Sequence, residues 1–182
     1  FDKFNNFEYD AAVAKKNRAE DITRVLYPND MQRAGKVLRL KQQYFFVSAS
    51  IQDLVEKYKR YFSDDLRFKN FHKYHVIQLN DTHPNISIAE LIRVLVDENG
   101  LSFDQALEIC KKVFAFTNHT VLQEAIEKWP IDIMEEVSPR CLEIIYQINA
   151  SLVKHFKEEG LSDYEIDPYR IVINDQVHMA NL

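Results

Sequence analysis

Two short polar segments contain the residues whose types could do chemistry. Residues 80–83 read Asn-Asp-Thr-His, residues 118–120 read Asn-His-Thr, and each segment directly follows an apolar run. Together they supply amides, hydroxyls, imidazoles and one carboxylate, groups that recognise sugar hydroxyls by donating and accepting hydrogen bonds. The candidate residues of such a site are Asp81, His83, Asn118 and His119.

The same residue types allow two other interpretations. Asp81, Thr82 and Asn118 could be turn residues and helix caps, because their short side chains bond to nearby backbone groups. Asp81, His83 and His119 could offer a carboxylate and two imidazoles to a metal ion. The chain has no His-Glu-x-x-His motif and no dense cysteine set, so no metal site is expected. On the residue types alone, a sugar site and capped turns both remain open.

The composition argues against several other classes of function. The net charge of −5 disfavours binding to nucleic acid or to an anionic membrane. No apolar run approaches the ~18 residues that a membrane span needs. Only three glycines occur, too few for a phosphate-binding loop of the Walker or dinucleotide type, and no Gly-x-Ser-x-Gly motif indicates a hydrolase. Cys110 and Cys141 lie among apolar residues and are expected to be buried free thiols.

Strand-like segments alternate with helical patterns along the chain. The predicted strands are residues 74–79 and 113–117, both expected to be buried, and residues 171–173. The main predicted helices cover residues 10–27 and 38–62 and begin near residues 87, 102 and 138. This alternation predicts an α/β fold, a parallel sheet with flanking helices. Ligands of such sheets bind beyond the carboxyl ends of the strands, which is where both polar segments lie.

Local signals mark several helix ends. The spacings that predict capping boxes are Ser87 with Glu90, Ser102 with Gln105, and Thr120 with Gln123. Pro139 suits the first position of a helix. Gly35 follows a cluster of turn-forming residues and is expected in a loop. The run from Tyr44 to Val47 is apolar, so the N-terminal half of the long helix is expected to be well buried.

Five motifs in order resemble the α-glucan phosphorylases, which act on glycogen, starch or maltodextrin. The motifs are RVLYPND (24–30), LRLKQQYFFVSAS (38–50), IQLNDTHP (77–84), FAFTNHTVLQEAIEKWP (114–130) and VHMANL (177–182). One motif alone would be only suggestive, but the ordered series covers nearly the whole chain. The chain also begins with Phe1 and ends just after a strand-like run, so we expect a section of a longer protein.

The resemblance implies a fold and a reaction. Members of this family have two Rossmann-like lobes of the GT-B glycosyltransferase type, and residues 1–182 resemble the second half of the N-terminal lobe. The reaction is phosphorolysis of a terminal α-1,4-linked glucose, which releases glucose 1-phosphate. Pyridoxal phosphate is held as a Schiff base by a lysine of the C-terminal lobe, and its phosphate takes part in proton transfer.

The resemblance also assigns parts of this chain to roles. Residues 10–22 resemble a dimer-contact helix, residues 27–35 a gate loop, and residues 74–182 the sheet-and-helix core. Asp30 matches the loop aspartate, but Met31 stands where an asparagine usually follows, which puts an amide contact to sugar in doubt. Asp81 and His83 match residues that line the glucan side of the cleft. His119, beside Asn118, matches a residue that contacts glucose through its side chain and its carbonyl.

The family's cofactor lysine, glycine-rich loop and phosphate-binding groups have no match in this chain. We therefore expect no catalytic residue, no bound pyridoxal phosphate and no activity in the isolated chain. For the full-length protein, the resemblance implies an α-1,4-glucan and phosphate as substrates, a homodimer, and a cytoplasmic location. The alternative is a non-catalytic glucan-binding or assembly module.

Overall fold

The computed structural model describes residues 6–182. The chain divides into two units, Phe1–Gln42 and Gln43–Leu182, and the division falls inside a long helix. The α-helices are α1 (Tyr9–Arg24), α2 (Arg33–Tyr61), α3 (Phe71–Tyr74), α4 (Ile86–Arg93), α5 (Phe103–Val113), α6 (Ile131–Val137), α7 (Pro139–Glu158) and α8 (Asp163–Ile166). The strands are β1 (Ile77–Asn80), β2 (Phe114–Thr117), β3 (Lys128–Pro130), β4 (Val172–Ile173) and β5 (Gln176–His178).

In the first unit, a charged helix leads through a loop into the start of α2. Helix α1 contains no buried residue, and Glu20 pairs along its surface with Lys16 and Arg24. The expectation that Gly35 lies in a loop is wrong, because α2 already begins at Arg33. Gly35 serves a different purpose, since a Cβ at this position would overlap the backbone carbonyl of Asn29.

The long helix α2 is confirmed, but its burial differs from the prediction. In the second unit, Val47, Ile51 and Tyr58 are buried along one face. Phe45 and Phe46 are 47% and 57% exposed, so the expectation that the N-terminal half of the helix is well buried is wrong. Each residue of a helix turns by about 100°, so neighbours in an apolar run cannot all share the face that Val47 buries.

Parallel pairing of the first two predicted strands is confirmed. Strands β1 and β2 align from Ile77 opposite Phe114 to Asn80 opposite Thr117. The expectation that both strands are buried is wrong, because Leu79 is the one buried residue in these two strands. The first strand also begins later than predicted, because Phe71–Tyr74 form a helical turn.

The third predicted strand does not join this parallel pair. Strand β4 pairs antiparallel with β5, which in turn pairs antiparallel with β3. Asn174 and Asp175, with φ of 49° and 57°, form the two-residue turn between β4 and β5. A hairpin connection of this length forces antiparallel pairing, since a parallel crossover needs a dozen or more residues.

Two of the predicted helix-end signals are confirmed and two are wrong. Ser102 and Gln105 form the predicted capping box, and Pro139 begins α7. The boxes predicted at Ser87 and Thr120 are wrong. Ser87 is buried inside α4, which begins one residue earlier, and Thr120 Oγ accepts a hydrogen bond from the backbone of Leu122.

The core of the second unit is apolar and contains both thiols. Its fully buried members include Leu91, Ile92, Leu95, Ala106, Val113, Met134, Ile144 and Ile145. Cys110 and Cys141 are confirmed as buried free thiols, and burial raises the pKa of each. Trp129 of β3 is 5% exposed and lies opposite Val177 of β5. Within residues 6–182, we find no helix long and apolar enough to cross a lipid bilayer.

Candidate functional site

The two polar segments meet at the carboxyl ends of β1 and β2. Asn80 lies opposite Thr117, the last residue of β2, and the Asp81 amide then donates to the Thr117 carbonyl at 2.9 Å. Asp81 has a φ of 60°, a left-handed conformation that few residues other than glycine adopt. The backbone therefore turns sharply at the residue that follows the strand.

The side chain of Asp81 joins the first polar segment to the second. Its Oδ1 accepts a hydrogen bond of 2.9 Å from the backbone N–H of His119. The His119 side chain is exposed. The structure thus brings Asp81 and His119 together, through the backbone amide of His119 rather than through its imidazole.

Asn118 and Thr82 make the local contacts that the turn-and-cap interpretation predicts. Asn118 Nδ2 donates to the Thr120 carbonyl at 2.9 Å. Its Oδ1 is buried, and no residue within 6–182 donates a hydrogen bond to it. Thr82 is fully buried, and its carbonyl accepts from the Asn85 amide at 3.1 Å. Both residues therefore stabilise the segment ends, and the Oδ1 acceptor of Asn118 has no hydrogen-bond partner among residues 6–182.

His83 is held by a carboxylate outside either polar segment. Its Nδ1 lies 3.0 Å from Glu127 Oε1, and the His83 side chain is 44% exposed while that of Glu127 is 11% exposed. Glu127 Oε1 also accepts from Gln43 Nε2 at 2.8 Å. Its Oε2 accepts from the Thr82 hydroxyl at 3.2 Å.

Asp30 belongs to the first unit. Its Oδ2 lies 2.7 Å from Nη1 of Arg39 in α2. The neighbouring Asn29 Oδ1 accepts from the Met31 amide at 2.9 Å, and Met31 itself is 86% exposed. The last three residues of the segment 27–35 are already helical, so the loop proper ends at residue 32.

Comparison with known proteins identifies the family to which this site belongs. The family model described as carbohydrate phosphorylase matches residues 1–182. This chain belongs to the carbohydrate phosphorylase family. The resemblance drawn from the five motifs is therefore confirmed.

Several curated relatives of this phosphorylase chain are similar over most of its length. It is 51% identical over 153 residues to glycogen phosphorylase 2 of Dictyostelium discoideum, and 50% identical over 149 residues to glycogen phosphorylase of Synechocystis. It is 50% identical over 157 residues to the brain form of human glycogen phosphorylase. These alignments cover 84%, 82% and 84% of this chain but 15%, 17% and 19% of the relatives, so the chain spans less than a fifth of their length.

The network around the candidate site includes residues that the sequence patterns do not single out. Glu127 lies inside the motif at 114–130, yet its partner Thr82 is 45 residues away in the sequence, so no local spacing pointed to the pair. Gln43 reaches Glu127 across 84 residues. Met179, near the end of the chain, closes the network, since its amide donates to the Glu127 carbonyl and its carbonyl accepts from Asn85 Nδ2.

Within residues 6–182, the polar groups of the candidate site are not arranged around a metal ion. Asp81 Oδ1 accepts from the His119 amide, while His83 Nδ1 lies 3.0 Å from Glu127 Oε1. Among the residues that the structure describes, no group of three or more His, Cys, Asp and Glu side chains is placed to hold a metal. What the arrangement offers is a set of hydrogen-bonding groups on two fixed strand ends.

Proposed function

We propose that this chain forms part of the glucan-binding wall of an α-1,4-glucan phosphorylase, which releases terminal glucose as glucose 1-phosphate. The observation that carries the proposal is the junction of the two strand ends through Asp81 and the His119 amide. In a chain of the carbohydrate phosphorylase family, this junction gathers donors and acceptors suited to sugar hydroxyls. In this proposal, Asp81, His83, Asn118 and His119 are the sugar-binding residues.

The chemistry proposed for these residues is orientation and electrostatic stabilisation. Asp81 restrains the backbone of His119, so the His119 carbonyl keeps a preset direction. A fixed carbonyl dipole near the anomeric carbon stabilises the positive charge that develops there as the glycosidic bond breaks. Asn118 Oδ1, buried without a donor among the described residues, accepts from a sugar hydroxyl.

The residues of the candidate site do not fit pyridoxal phosphate. They are carboxylates, amides, hydroxyls and imidazoles, with no lysine to form a Schiff base and no cationic cluster for the phosphate. We propose that the full-length protein binds this cofactor elsewhere. The isolated chain then binds no pyridoxal phosphate and has no phosphorylase activity.

Other parts of the proposal concern the full-length protein. The second unit and the first belong to the N-terminal lobe of a GT-B type enzyme that takes phosphate as its second substrate. Residues 27–35, with Asp30, act as a gate loop, and residues 10–22 contact the same helix of a second subunit in a homodimer. The charged surface of α1, which buries no residue in this chain, is available for that contact. The location is cytoplasmic.

The test is to assay the full-length protein, with cofactor and phosphate, for release of glucose 1-phosphate from glycogen, starch and maltodextrin. We expect release from at least one glucan and none from the isolated chain. Replacing His119 by alanine should lower kcat/KM of the full-length protein. If no α-1,4-glucan is cleaved, the proposal fails and the non-catalytic glucan-binding module takes its place. An absorbance band of a Schiff base in the isolated chain would contradict the cofactor assignment.

A further inference from the structure

Strand β2 lies at an open edge of a two-stranded parallel sheet. Within residues 6–182, β1 is the only strand that pairs with it. Sheets that are parallel throughout occur almost only where neighbouring elements cover them, and a single pair of strands is marginal in water. By this rule, β2 requires a further element beside it.

The two strands separate apolar from polar side chains. Residues paired in register lie on the same face of a sheet, and side chains alternate between the faces along each strand. Leu79 is paired with Phe116, whereas Gln78 Nε2 donates to Thr117 Oγ1 at 3.0 Å across the opposite face. The face that contains Leu79 and Phe116 is therefore the apolar one.

Burial of this apolar face falls steeply from β1 to β2. Leu79 is 2% exposed, while Phe116, its partner on the next strand, is 39% exposed. Because the two side chains lie on the same face and in the same register, the cover over Leu79 does not extend to Phe116.

A groove of about 390 Å³ runs along the apolar face and is lined by both strands. Its other walls include Ile88 of α4, Cys110 of α5 and Ile148 of α7. Lys111 is the only charged residue among the described residues that line the groove, and its ammonium lies 2.7 Å from Glu108. The groove therefore suits an uncharged and apolar occupant.

The backbone of β2 is open at the same edge. The Thr117 carbonyl accepts from the Asp81 amide, so the backbone groups of Thr117 are directed towards β1. Successive residues of a strand direct these groups to opposite edges, so the N–H and C=O of Phe116 face the open edge. Within residues 6–182, no hydrogen bond to either group is found.

We infer that a further β-strand of the full-length protein, from outside residues 1–182, pairs with the open edge of β2 and fills the groove with apolar side chains. A strand meets both needs at once, whereas a helix or a small apolar molecule would leave the backbone groups of Phe116 unpaired. The relatives have the polypeptide to supply it, since this chain covers 15% and 19% of two of them. The inference does not depend on the proposed reaction.

Hydrogen exchange in the unchanged full-length protein, resolved to single amides, tests the pairing. We expect the Phe116 amide to exchange at least about a hundredfold more slowly than an unpaired amide of the same intrinsic rate. The Thr117 amide, which faces β1, is the internal reference for a protected position. Rapid exchange at Phe116 with Thr117 protected would overturn the inference, and this measurement requires no variant.

Photo-crosslinking identifies the occupant. The probe p-benzoylphenylalanine, placed at Phe116 of the full-length protein and irradiated, should attach to a peptide from outside residues 1–182 without raising the mass on a denaturing gel. The same probe at Phe46, which is exposed on α2, is the matched control and should capture a different peptide. Unfolding in urea before irradiation should abolish the capture.

Three other outcomes would overturn the assignment. A product of twice the mass would mean that a second copy covers the edge, and attachment within residues 1–182 would mean that this chain covers it. A peptide captured equally from both probe positions would mean that the reaction is not specific to the groove. Neither measurement relies on release of glucose 1-phosphate, so both remain decisive if the proposed function fails.

Discussion

At the scale of the residue, the sequence indicates candidate side chains but not what each one contacts. Asp81 and His119 were candidates from their types and their place after strands. Their contact could not be predicted, because it joins a carboxylate to a backbone amide 38 residues away. Glu127 was missed for the same reason, since its partners are brought together only by the folded chain.

Asp81 combines a strained backbone with a hydrogen bond across the two segments. Replacing Asp81 by alanine should destabilise the chain by about 1–2 kcal/mol, because the His119 amide loses its acceptor and alanine is poorly suited to a positive φ. Urea unfolding followed by circular dichroism measures the loss. Asp175→Ala is the control, because Asp175 has a φ of 57° in the β4–β5 turn. Equal losses in the two variants would mean that the bond to His119 contributes nothing.

Glu90 gives stability that depends on pH. Its burial opposes ionisation, but hydrogen bonds from Arg93 and Ser48 outweigh that effect and lower the pKa of the carboxyl from 4.5. A lowered folded pKa stabilises the protein above about pH 4.5, and this contribution is lost as the pH falls through the folded value. Glu90→Gln should therefore cost about 2 kcal/mol or more near neutral pH and progressively less in acid.

The control for Glu90 is another carboxylate on the same arginine. Glu98 lies 2.8 Å from Arg93, but its side chain is 47% exposed whereas that of Glu90 is fully buried. Glu98→Gln should change the free energy of unfolding by less than about 1 kcal/mol. A Glu90→Gln protein whose stability fell in parallel with that of the unchanged protein from neutral pH into acid would refute the linkage.

At the scale of the element, the sequence predicts those features that depend on residues close together in the chain. The helices, the capping box at Ser102 and the strand order β1-β2 follow from hydrophobic spacing and cap chemistry. Burial of β1 and β2 was overestimated, because an apolar run does not reveal whether both faces of a strand are covered. The antiparallel β4–β5 hairpin escaped prediction because Asn174 and Asp175 adopt a turn that their types permit but do not require.

Gly35 is the clearest element-scale test. Alanine is favoured over glycine inside a helix by about 1 kcal/mol, so propensity alone predicts that Gly35→Ala stabilises α2. The added Cβ would overlap the Asn29 carbonyl, which cannot move without shifting the loop. We expect a net loss in urea unfolding. Ala49→Gly, at an exposed position of the same helix, measures the effect of helix propensity alone. A gain in stability for Gly35→Ala would disprove the close contact.

At the scale of the whole molecule, the two units differ in how their parts are held. Helix α1 buries no side chain, whereas α7 buries five residues along one face, among them Cys141, Ile145 and Ile148. A helix that buries nothing opens with little loss of hydrophobic contact, so its stability is local. The family relationship was predictable from the ordered motifs. The division of the chain into two units was not, because it falls within one continuous helical pattern.

Hydrogen exchange measured by mass spectrometry should show this difference. Peptides from α1 should take up deuterium orders of magnitude faster than peptides from α7 in the isolated chain, because only α7 needs the core to open. In the full-length protein, protection of α1 should rise if it forms the proposed subunit contact. Equal protection of both helices in the isolated chain would contradict the conclusion that α1 opens independently of the core.

The burial of Trp129 has a practical consequence for separating the two units. It is the only tryptophan of the chain and lies within the second unit, so its fluorescence reports on residues 43–182 alone. Its emission is expected at short wavelength while β3 remains paired with β5, and it should shift to the red when water reaches the indole. Trp129 fluorescence therefore follows unfolding of the second unit alone. In a single urea titration, its transition can be compared with the circular dichroism of the whole backbone.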